Sequence, residues 1–325
     1  MHANRRGGGL AAQPSARTDR TKYPPPPPHR FRRLDWARYR RFLRRGLRRT
    51  VIRIARLVAR APPAFRVRAP GTPGRTPTDP REVVRCLLFR SLHHCSYDQA
   101  HAMLLAFPDV ARVLGVRRLP AAPPVAALAV RVPPPYLERL LGQLARRGRS
   151  HRVNLAGDGT GISTRRFDRW LHAKGGRDDR HSWVKLHALV ETRAQFPVFF
   201  AAHVTDAYTN EVSELPRLLG QIPSSVPIGN VALDRGYPSR RNAPAIADRG
   251  GRPVIALRAN VRATTTPDGF PAWKKMVVDQ FHHRREFRCR YRRRSVIEGT
   301  FGARKARLGS PVRCRRRATQ RVEVL

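Results

Sequence analysis

The second half of the chain predicts an α/β fold, and the first half predicts a small helical region that precedes it. After residue 150, short apolar runs rich in Val and Leu alternate with helical stretches, as in a central mixed sheet flanked by helices. Before residue 150, apolar residues recur at approximate helical spacing within Arg-rich segments. The span 151–310 holds about 160 residues, which is enough for one substantial core.

Composition divides the chain into four predicted parts. Residues 1–30 are rich in Gly, Pro and Arg and lack any period that could bury a face, so they are predicted either to be disordered or to lie upstream of the true translation start. Residues 31–150 are predicted to form a basic, mostly helical region, and residues 151–310 the α/β domain. Residues 311–325 are expected to be a short basic tail, which either a compact chain or a truncated reading frame would explain.

Helix signals are clearest between Asp79 and Val116, where two helices are predicted. Asp79 is a suitable N-cap, and Pro80 is favoured in a first helical turn. The stretch 31–60 carries many Arg residues at approximate helical spacing, so it either follows a nucleic-acid backbone or simply faces solvent. Prolines in residues 119–144 argue against a well-formed helix that could read a base sequence there.

Two of the predicted strands lead to an aspartate. Val153 and Leu155 alternate toward the sequence Gly-Asp-Gly-Thr-Gly, so this strand is expected to end at Asp158. The apolar run 231–233 predicts a buried strand with Asp234 at its end. Open α/β sheets bind ligands at strand ends, although a single Asp is more often a turn residue or helix cap. The predicted strands are 153–155, 184–191, 198–204, 231–233 and 254–257.

A helix near the C-terminus is predicted to bring one acid together with three groups that suit DNA. Tyr291, Arg294, Glu298 and Lys305 stand at offsets of three, four and seven, which keeps them near one face of a helix. Glu298 is thereby set among two cations and a phenol that can hydrogen-bond or stack. This grouping suits a polyanionic substrate, and a basic helix with an incidental Glu is the simpler alternative.

These four residues form the arrangement Y-x2-R-x3-E-x6-K, which resembles the signature of DDE transposases of bacterial insertion sequences, in the branch named after its Tyr, Arg, Glu and Lys. The sequences DGTG and DRGY around the two aspartates resemble the first two acidic motifs of that family. The resemblance implies an RNase H-like catalytic core and a DNA-binding role for residues 31–150. It also implies catalytic and metal-binding roles for Asp158, Asp234 and Glu298, and contacts to the transposon end for Tyr291, Arg294 and Lys305.

The resemblance implies two divalent cations, Mg²⁺ or Mn²⁺, as cofactors. Two such ions about 3.5 to 4 Å apart can activate the attacking oxygen and stabilise the leaving oxygen at phosphorus, and carboxylates are their natural ligands. A zinc site is not indicated, because the four Cys residues form no C-x2-C pair. All four, Cys86, Cys95, Cys289 and Cys314, are predicted to be reduced, mostly buried thiols. Asp206 is interpreted as structural, because it precedes a predicted helix in a loop.

The charge of the chain favours a polyanionic partner. Lys and Arg total 66 against 22 Asp and Glu, which gives a net charge of +44. A GC-rich genome would also raise the Arg content, so the motifs are stronger evidence than the charge. No apolar run approaches the ~20 residues of a spanning helix, so no membrane partner is expected. The resemblance implies double-stranded DNA, as transposon ends and target, bound by a homodimer in the cytoplasm at the nucleoid.

Three functions stay open on the sequence. The favoured one is a transposase that cleaves DNA and transfers strands at the ends of an insertion sequence. The second is an RNase H-like nuclease or resolvase, which would use the same acids but have less need of Tyr291, Arg294 and Lys305 as a set. The third is a non-catalytic DNA-binding remnant of a transposase, which the prolines and the short C-terminal segment would fit.

Overall fold

The computed structural model describes residues 36–69, 73–74, 76–145, 151–164, 183–193, 198–261, 269–309 and 311–325. The chain divides into two compact units, residues 1–46 and residues 47–325. Of the first unit only residues 36–46 are described, and they are helical. The disorder predicted for residues 1–30 therefore lies outside the described residues.

Six helices are described before residue 150: α1 (Trp36–Arg60), α2 (Pro80–His93), α3 (Tyr97–Ala106), α4 (Pro108–Leu114), α5 (Ala122–Ala129) and α6 (Pro134–Ala145). The predicted N-cap is confirmed, since the Asp79 carboxylate accepts the backbone N–H of Arg81 at 2.8 Å. Ser96 and Gln99 form a capping box at the start of α3. Throughout the described residues, no helix combines the length and the apolar character needed to cross a membrane.

Prolines begin several of these helices. Between Asp79 and Val116 the structure has three helices where two were predicted, because Pro108 starts α4 directly after Phe107. Of the prolines of residues 119–144, Pro123 and Pro124 lie in the first turn of α5 and Pro134 and Pro135 in the first turn of α6, whereas Pro120 and Pro133 precede these helices. A first-turn proline lacks only an N–H that would have no partner within the helix. Helices therefore form in this segment despite its prolines, and the absence of a helix there that reads a base sequence stays a prediction.

A five-stranded mixed sheet follows the helical region, formed by β1 (Val153–Ser163), β2 (Trp183–Glu191), β3 (Phe199–Asp206), β4 (Ile228–Leu233) and β5 (Arg252–Ile255). The strand order is β3-β2-β1-β4-β5. β2 is antiparallel to both β1 and β3, whereas β4 is parallel to β1 and β5 is parallel to β4. All five predicted strands are present, and the predicted α/β class is confirmed.

The position of Asp158 differs from the prediction that a strand ends there. β1 continues through the Gly-Asp-Gly-Thr-Gly sequence, because its second half still pairs with β2. The parallel pairing of β1 with β4 stops at Gly157 and Leu233. Asp158 and Asp234 are thus each the first residue after the last parallel pair. This places them on adjacent strands at the same level of the sheet, although only β4 ends there.

Helices cover both faces of the sheet: α7 (Glu211–Gln221), α8 (Asn242–Ala247), α9 (Pro271–His282), α10 (Arg284–Tyr291), α11 (Ser295–Leu308) and α12 (Arg317–Val324). One apolar cluster joins α7, α8 and α9 to the sheet. A second cluster joins the sheet to Ile297 and Phe301 of α11 and to Val324 of α12. A mixed sheet between two helical layers agrees with the expected RNase H-like core.

The C-terminal segment 311–325, expected to be a tail, contains helix α12 and packs on the helical region. Glu323 of α12 forms an ion pair with Arg90 of α2 at 3.4 Å, and both side chains are at least nine-tenths buried. The Glu323 carboxylate also accepts the backbone N–H groups of Arg313 and Cys314. This carboxylate therefore ties the last residues of the chain to α2.

Candidate active site

Three carboxylates converge where the parallel pairing of β1 with β4 stops. Asp158 lies within β1, one residue past the last pair, and Asp234 directly follows β4. Glu211, the first residue of α7, reaches the same place. One carboxylate oxygen from each of the three lies within 4.8 Å of the others, and all three residues are partly exposed. The cluster is therefore open to a ligand from solvent.

Two glycines make room for the Glu211 carboxylate. A Cβ atom at Gly159 would lie 2.7 Å from Glu211 Oε1, and a Cβ atom at Gly236 would lie 2.8 Å from Glu211 Oε2. A side chain at either position would push this carboxylate away. The backbone N–H of Gly159 donates to Asp158 Oδ1 at 2.8 Å, and that of Gly236 donates to Asp234 Oδ1 at 2.7 Å. The same two glycines therefore help to position all three acids.

Arg294 links the two aspartates to Glu298. Its Nη2 atom lies 3.4 Å from Asp158 Oδ2 and 4.0 Å from Asp234 Oδ2, and its Nη1 atom donates to Glu298 Oε1. The Arg294 side chain is only 17% exposed, whereas that of Glu298 is 60% exposed. Among the described residues, the close group of acids contains Asp158 and Asp234 but not Glu298. Glu298 reaches the site through the guanidinium.

The helix predicted over residues 291–305 is interrupted. Tyr291 ends α10, a 3₁₀ turn covers Arg292–Arg294, and α11 begins at Ser295. Lys305 lies about two turns beyond Glu298 on α11. Lys305 is half-buried, and this burial lowers the pKa of its ammonium group. The predicted group of four residues is therefore spread along two helices and the turn between them.

The Tyr291 ring is partly used for packing. It stacks on the ring of Phe287, with centroids 5.8 Å apart and planes 13° from parallel. The two rings pack beside Ala232 of β4 and Val254 of β5. Tyr291 is half-buried, so part of the ring still faces solvent.

Burial raises the pKa of the Asp158 carboxyl group from the ordinary 3.8 to about 6. The Gly159 N–H and the Arg294 guanidinium oppose this rise, whereas the charges of Asp234 and Glu211 add to it. The Asp158 side chain is 15% exposed, so little water reaches its charge. The folded protein without metal therefore binds a proton at Asp158 more tightly than the unfolded chain does.

Asp158→Asn is expected to stabilise the metal-free protein by about 3 kcal/mol at pH 8, because the variant no longer buries a carboxylate charge. The gain in stability should shrink as the pH falls from 6 toward 4. The Asp158 carboxyl of the parent protein is protonated first in the folded state, near pH 6, and only near pH 4 in the unfolded state. Urea unfolding of both proteins in chelator, at pH 8 and at about pH 4.5, measures the difference. A difference that does not change with pH would contradict a raised pKa at Asp158.

Glu211 is the acid that the sequence did not single out. Its Oε1 atom forms an ion pair with Lys185 Nζ at 2.8 Å, and both side chains are about one-fifth exposed. In the sequence, Glu211 is recognisable only as an acid in the first turn of the helix after β3. Acids are common at that position because they complement the helix dipole, so the position alone does not indicate a site. Asp206 was predicted to lie in a loop but is instead the last residue of β3, because it still pairs with Val184 of β2. Its carboxylate pairs with Arg321 at 3.1 Å. That contact agrees with the structural role expected for Asp206.

A mixed sheet whose adjacent parallel strands present clustered carboxylates is suited to metal-assisted chemistry on phosphates. The family model described as "Transposase DDE domain" matches residues 150–325. A Burkholderia cepacia protein named "Putative transposase for insertion sequence element IS402" is 33% identical over 180 residues, which cover 50% of this chain and 82% of that protein. No solved structure matches the chain. The chain belongs to the DDE transposase family, and the predicted RNase H-like core is confirmed.

Members of this family are metal-dependent, DNA-cleaving enzymes, and the acidic cluster fits a hard divalent cation. All three of its donors, from Asp158, Glu211 and Asp234, are carboxylate oxygens. No Cys or His belongs to this cluster in the described part of the chain, so its chemistry differs from that of a zinc site. All four Cys residues are free; Cys86 and Cys95 are buried as predicted, whereas Cys314 is partly exposed and Cys289 is exposed, against the prediction of mostly buried thiols.

Proposed function

We propose that this protein cleaves DNA at the ends of an insertion sequence and joins those ends to target DNA. The observation that carries the proposal is the convergence of Asp158 and Asp234 beside the Arg294–Glu298 ion pair. Family membership supports the same chemistry. We also assign the chain to the Tyr-Arg-Glu-Lys branch, on the spacing of Tyr291, Arg294, Glu298 and Lys305.

Asp158, Asp234 and Glu298 are the proposed ligands of two Mg²⁺ or Mn²⁺ ions. When bound, such ions activate the attacking oxygen and stabilise the leaving oxygen in phosphodiester displacement. In the metal-free protein the three carboxylates share the Arg294 guanidinium, so they already surround one cationic group. Backbone N–H groups of the neighbouring glycines hold one oxygen of each aspartate.

Arg294 and Lys305 are the proposed contacts to transposon-end phosphates. A guanidinium binds a phosphate as well as a carboxylate, because its planar fork fits two oxygens of either group. When DNA arrives, Arg294 therefore exchanges part of its carboxylate contacts for a phosphate. Lys305 supplies a second positive charge farther along α11.

Double-stranded DNA, first the transposon ends and then the target, is the proposed substrate. Its phosphates would meet a basic surface on α10 and the 3₁₀ turn, where the exposed residues include Arg284, Arg285, Arg288, Arg292 and Arg293. We propose a homodimer that pairs two ends, because strand transfer requires both ends of the element. Action on chromosomal DNA also implies a location in the cytoplasm at the nucleoid.

Cleavage of DNA that carries the terminal inverted repeats of the element tests the proposal. The purified protein should cut at the repeat ends in Mg²⁺ and not in chelator. A duplex of the same length and composition with scrambled ends serves as the control and should stay intact. Equal cutting of both duplexes would support a general nuclease instead.

Tyr291→Ala is expected to weaken binding to end DNA about 5-fold to 150-fold, because base stacking on an aromatic ring is worth ~1 to 3 kcal/mol. Tyr291→Phe should be milder, since it keeps the ring and its contact with Phe287. Binding to pre-nicked end DNA measures both variants, and thermal unfolding checks that each retains the fold. If both variants bind like the parent protein, Tyr291 is only a packing residue.

A further inference from the structure

We propose that Glu211 is a metal ligand, and that the protein without DNA binds its first divalent cation through Asp158, Asp234 and Glu211 rather than through Glu298. The inference rests on the proposed function for the roles of the two aspartates. It adds a fourth carboxylate to the site. It also implies that the first ion binds without Glu298.

The distances favour Glu211 over Glu298 in the DNA-free protein. Oxygens on opposite sides of one Mg²⁺ ion are about 4 Å apart, because each bond is about 2.1 Å long. The three oxygens of Asp158, Asp234 and Glu211 lie within 4.8 Å of one another, so small side-chain movements would bring them to one ion. Glu298 is 60% exposed and bonded to Arg294, so it would have to give up that partner first.

The Glu211 carboxylate is held in place from several sides. Gly159 and Gly236 leave the space that it fills, and Lys185 Nζ bonds Oε1 at 2.8 Å. The Oε2 atom lies on the side of Gly236, where a Cβ atom would also meet Asp234 Oδ1 at 2.9 Å. Lys185 therefore pairs with Oε1 of Glu211, while Oε2 lies on the side of the Asp234 carboxylate. A side chain fixed in this way loses little conformational entropy when it binds a cation.

A buried hydroxyl that is influenced by the charges of the cluster is a second indication of a ligand. Tyr237 is fully buried, and its hydroxyl has no hydrogen-bond partner among the described residues. Burial raises the pKa of the Tyr237 hydroxyl, and the charges of Glu211, Asp158 and Asp234 raise it further. These three carboxylates are therefore within electrostatic reach of the hydroxyl. An unpaired buried hydroxyl is costly, so a cation-bound water or a carboxylate shifted by an ion would provide its missing partner.

The cluster also carries negative charge that nearby cationic side chains do not balance. Among the described residues, the four carboxylates of Asp158, Asp234, Glu211 and Glu298 form ion pairs within 4.0 Å with two cationic side chains, those of Arg294 and Lys185. The two negative charges left over are the charge that one divalent ion would neutralise. If the Lys185–Glu211 pair were only a structural ion pair at a helix start, removal of the Glu211 charge would leave cation binding unchanged.

Mn²⁺ binding to the full-length protein in the absence of DNA tests this inference, with free Mn²⁺ measured by electron paramagnetic resonance. Glu211→Gln should weaken Mn²⁺ binding at least about 10-fold, because loss of even an outer-shell partner of a metal ligand typically costs 10-fold to 100-fold. Asp234→Asn should abolish it. Glu298→Gln should retain first-ion binding within roughly twofold, and so should Glu214→Gln, a matched change one turn later on the same helix.

Gly159→Ala provides a second variant that keeps every carboxylate. Its Cβ atom would displace Glu211 Oε1, so Mn²⁺ binding should weaken while thermal unfolding in chelator shows a folded protein. Unchanged Mn²⁺ binding by Glu211→Gln, or an equal loss in Glu298→Gln, would overturn the inference. The proposed function fails separately, if Asp234→Asn still cleaves end DNA.

Discussion

Asp234→Asn is expected to slow cleavage of end DNA at least about 1000-fold, a loss of about 4 kcal/mol of transition-state stabilisation. The change keeps the shape of the side chain but removes a charge that a divalent cation needs. Asp234 stands beside Asp158 after the last parallel pair of β1 and β4, so its carboxylate belongs to the close group of acids. Cleavage of labelled end DNA in Mg²⁺ measures the effect.

Binding to end DNA should stay within about threefold of the parent protein, because Arg and Lys supply most phosphate contacts. Asp248→Asn is the matched control, since Asp248 is an exposed aspartate at the end of α8. It should cleave at the parent rate. Retained Mg²⁺-dependent cleavage by the Asp234→Asn protein would contradict the proposed metal site.

Arg294→Ala is expected to affect both DNA binding and the stability of the metal-free protein. The loss of one phosphate contact should lower the slope of log affinity against log salt by about one. In the metal-free protein, the variant leaves Asp158, Asp234 and Glu298 without the guanidinium that they share. The free energy of unfolding should therefore fall by about 1.5 to 3 kcal/mol, and Mg²⁺ should restore part of it.

Arg293→Ala is the matched control for stability, because Arg293 is an exposed residue of the same 3₁₀ turn. Its unfolding in chelator should equal that of the parent protein. Fluorescence-detected urea unfolding, with and without Mg²⁺, measures both variants beside the salt dependence of end binding. If Arg294→Ala changes neither the salt slope nor the stability, Arg294 is no more than a cation on a basic helix.

The sequence predicted the sheet well because its strands carry local signals. Short apolar stretches that contain Val mark each strand. The closeness of Asp158 and Asp234 depended in addition on strand order, which periodicity does not contain. The resemblance to a known family supplied that order, and the parallel pairing of β1 with β4 agrees with it.

Other parts of the site depend on contacts that a linear pattern does not encode. Glu211 reaches the aspartates because α7 starts at the same edge of the sheet and two glycines lack side chains there. β1 extends past Asp158 because β2 pairs with it as a hairpin, so a Gly-rich sequence that looked like a turn is a strand. The ion pairs between Arg294 and the two aspartates join segments that are distant in the sequence, so only the folded structure reveals them.

Joining of a pre-nicked transposon end to target DNA tests the central claim most directly, because it requires the catalytic carboxylates but no prior cleavage. We predict a covalent end–target product from the parent protein in Mg²⁺, and none in chelator or with Asp234→Asn. An unrelated duplex with the same nick should not be joined. Equal joining of the unrelated duplex, or product formation by Asp234→Asn, would contradict the assignment of these carboxylates to a transposase active site.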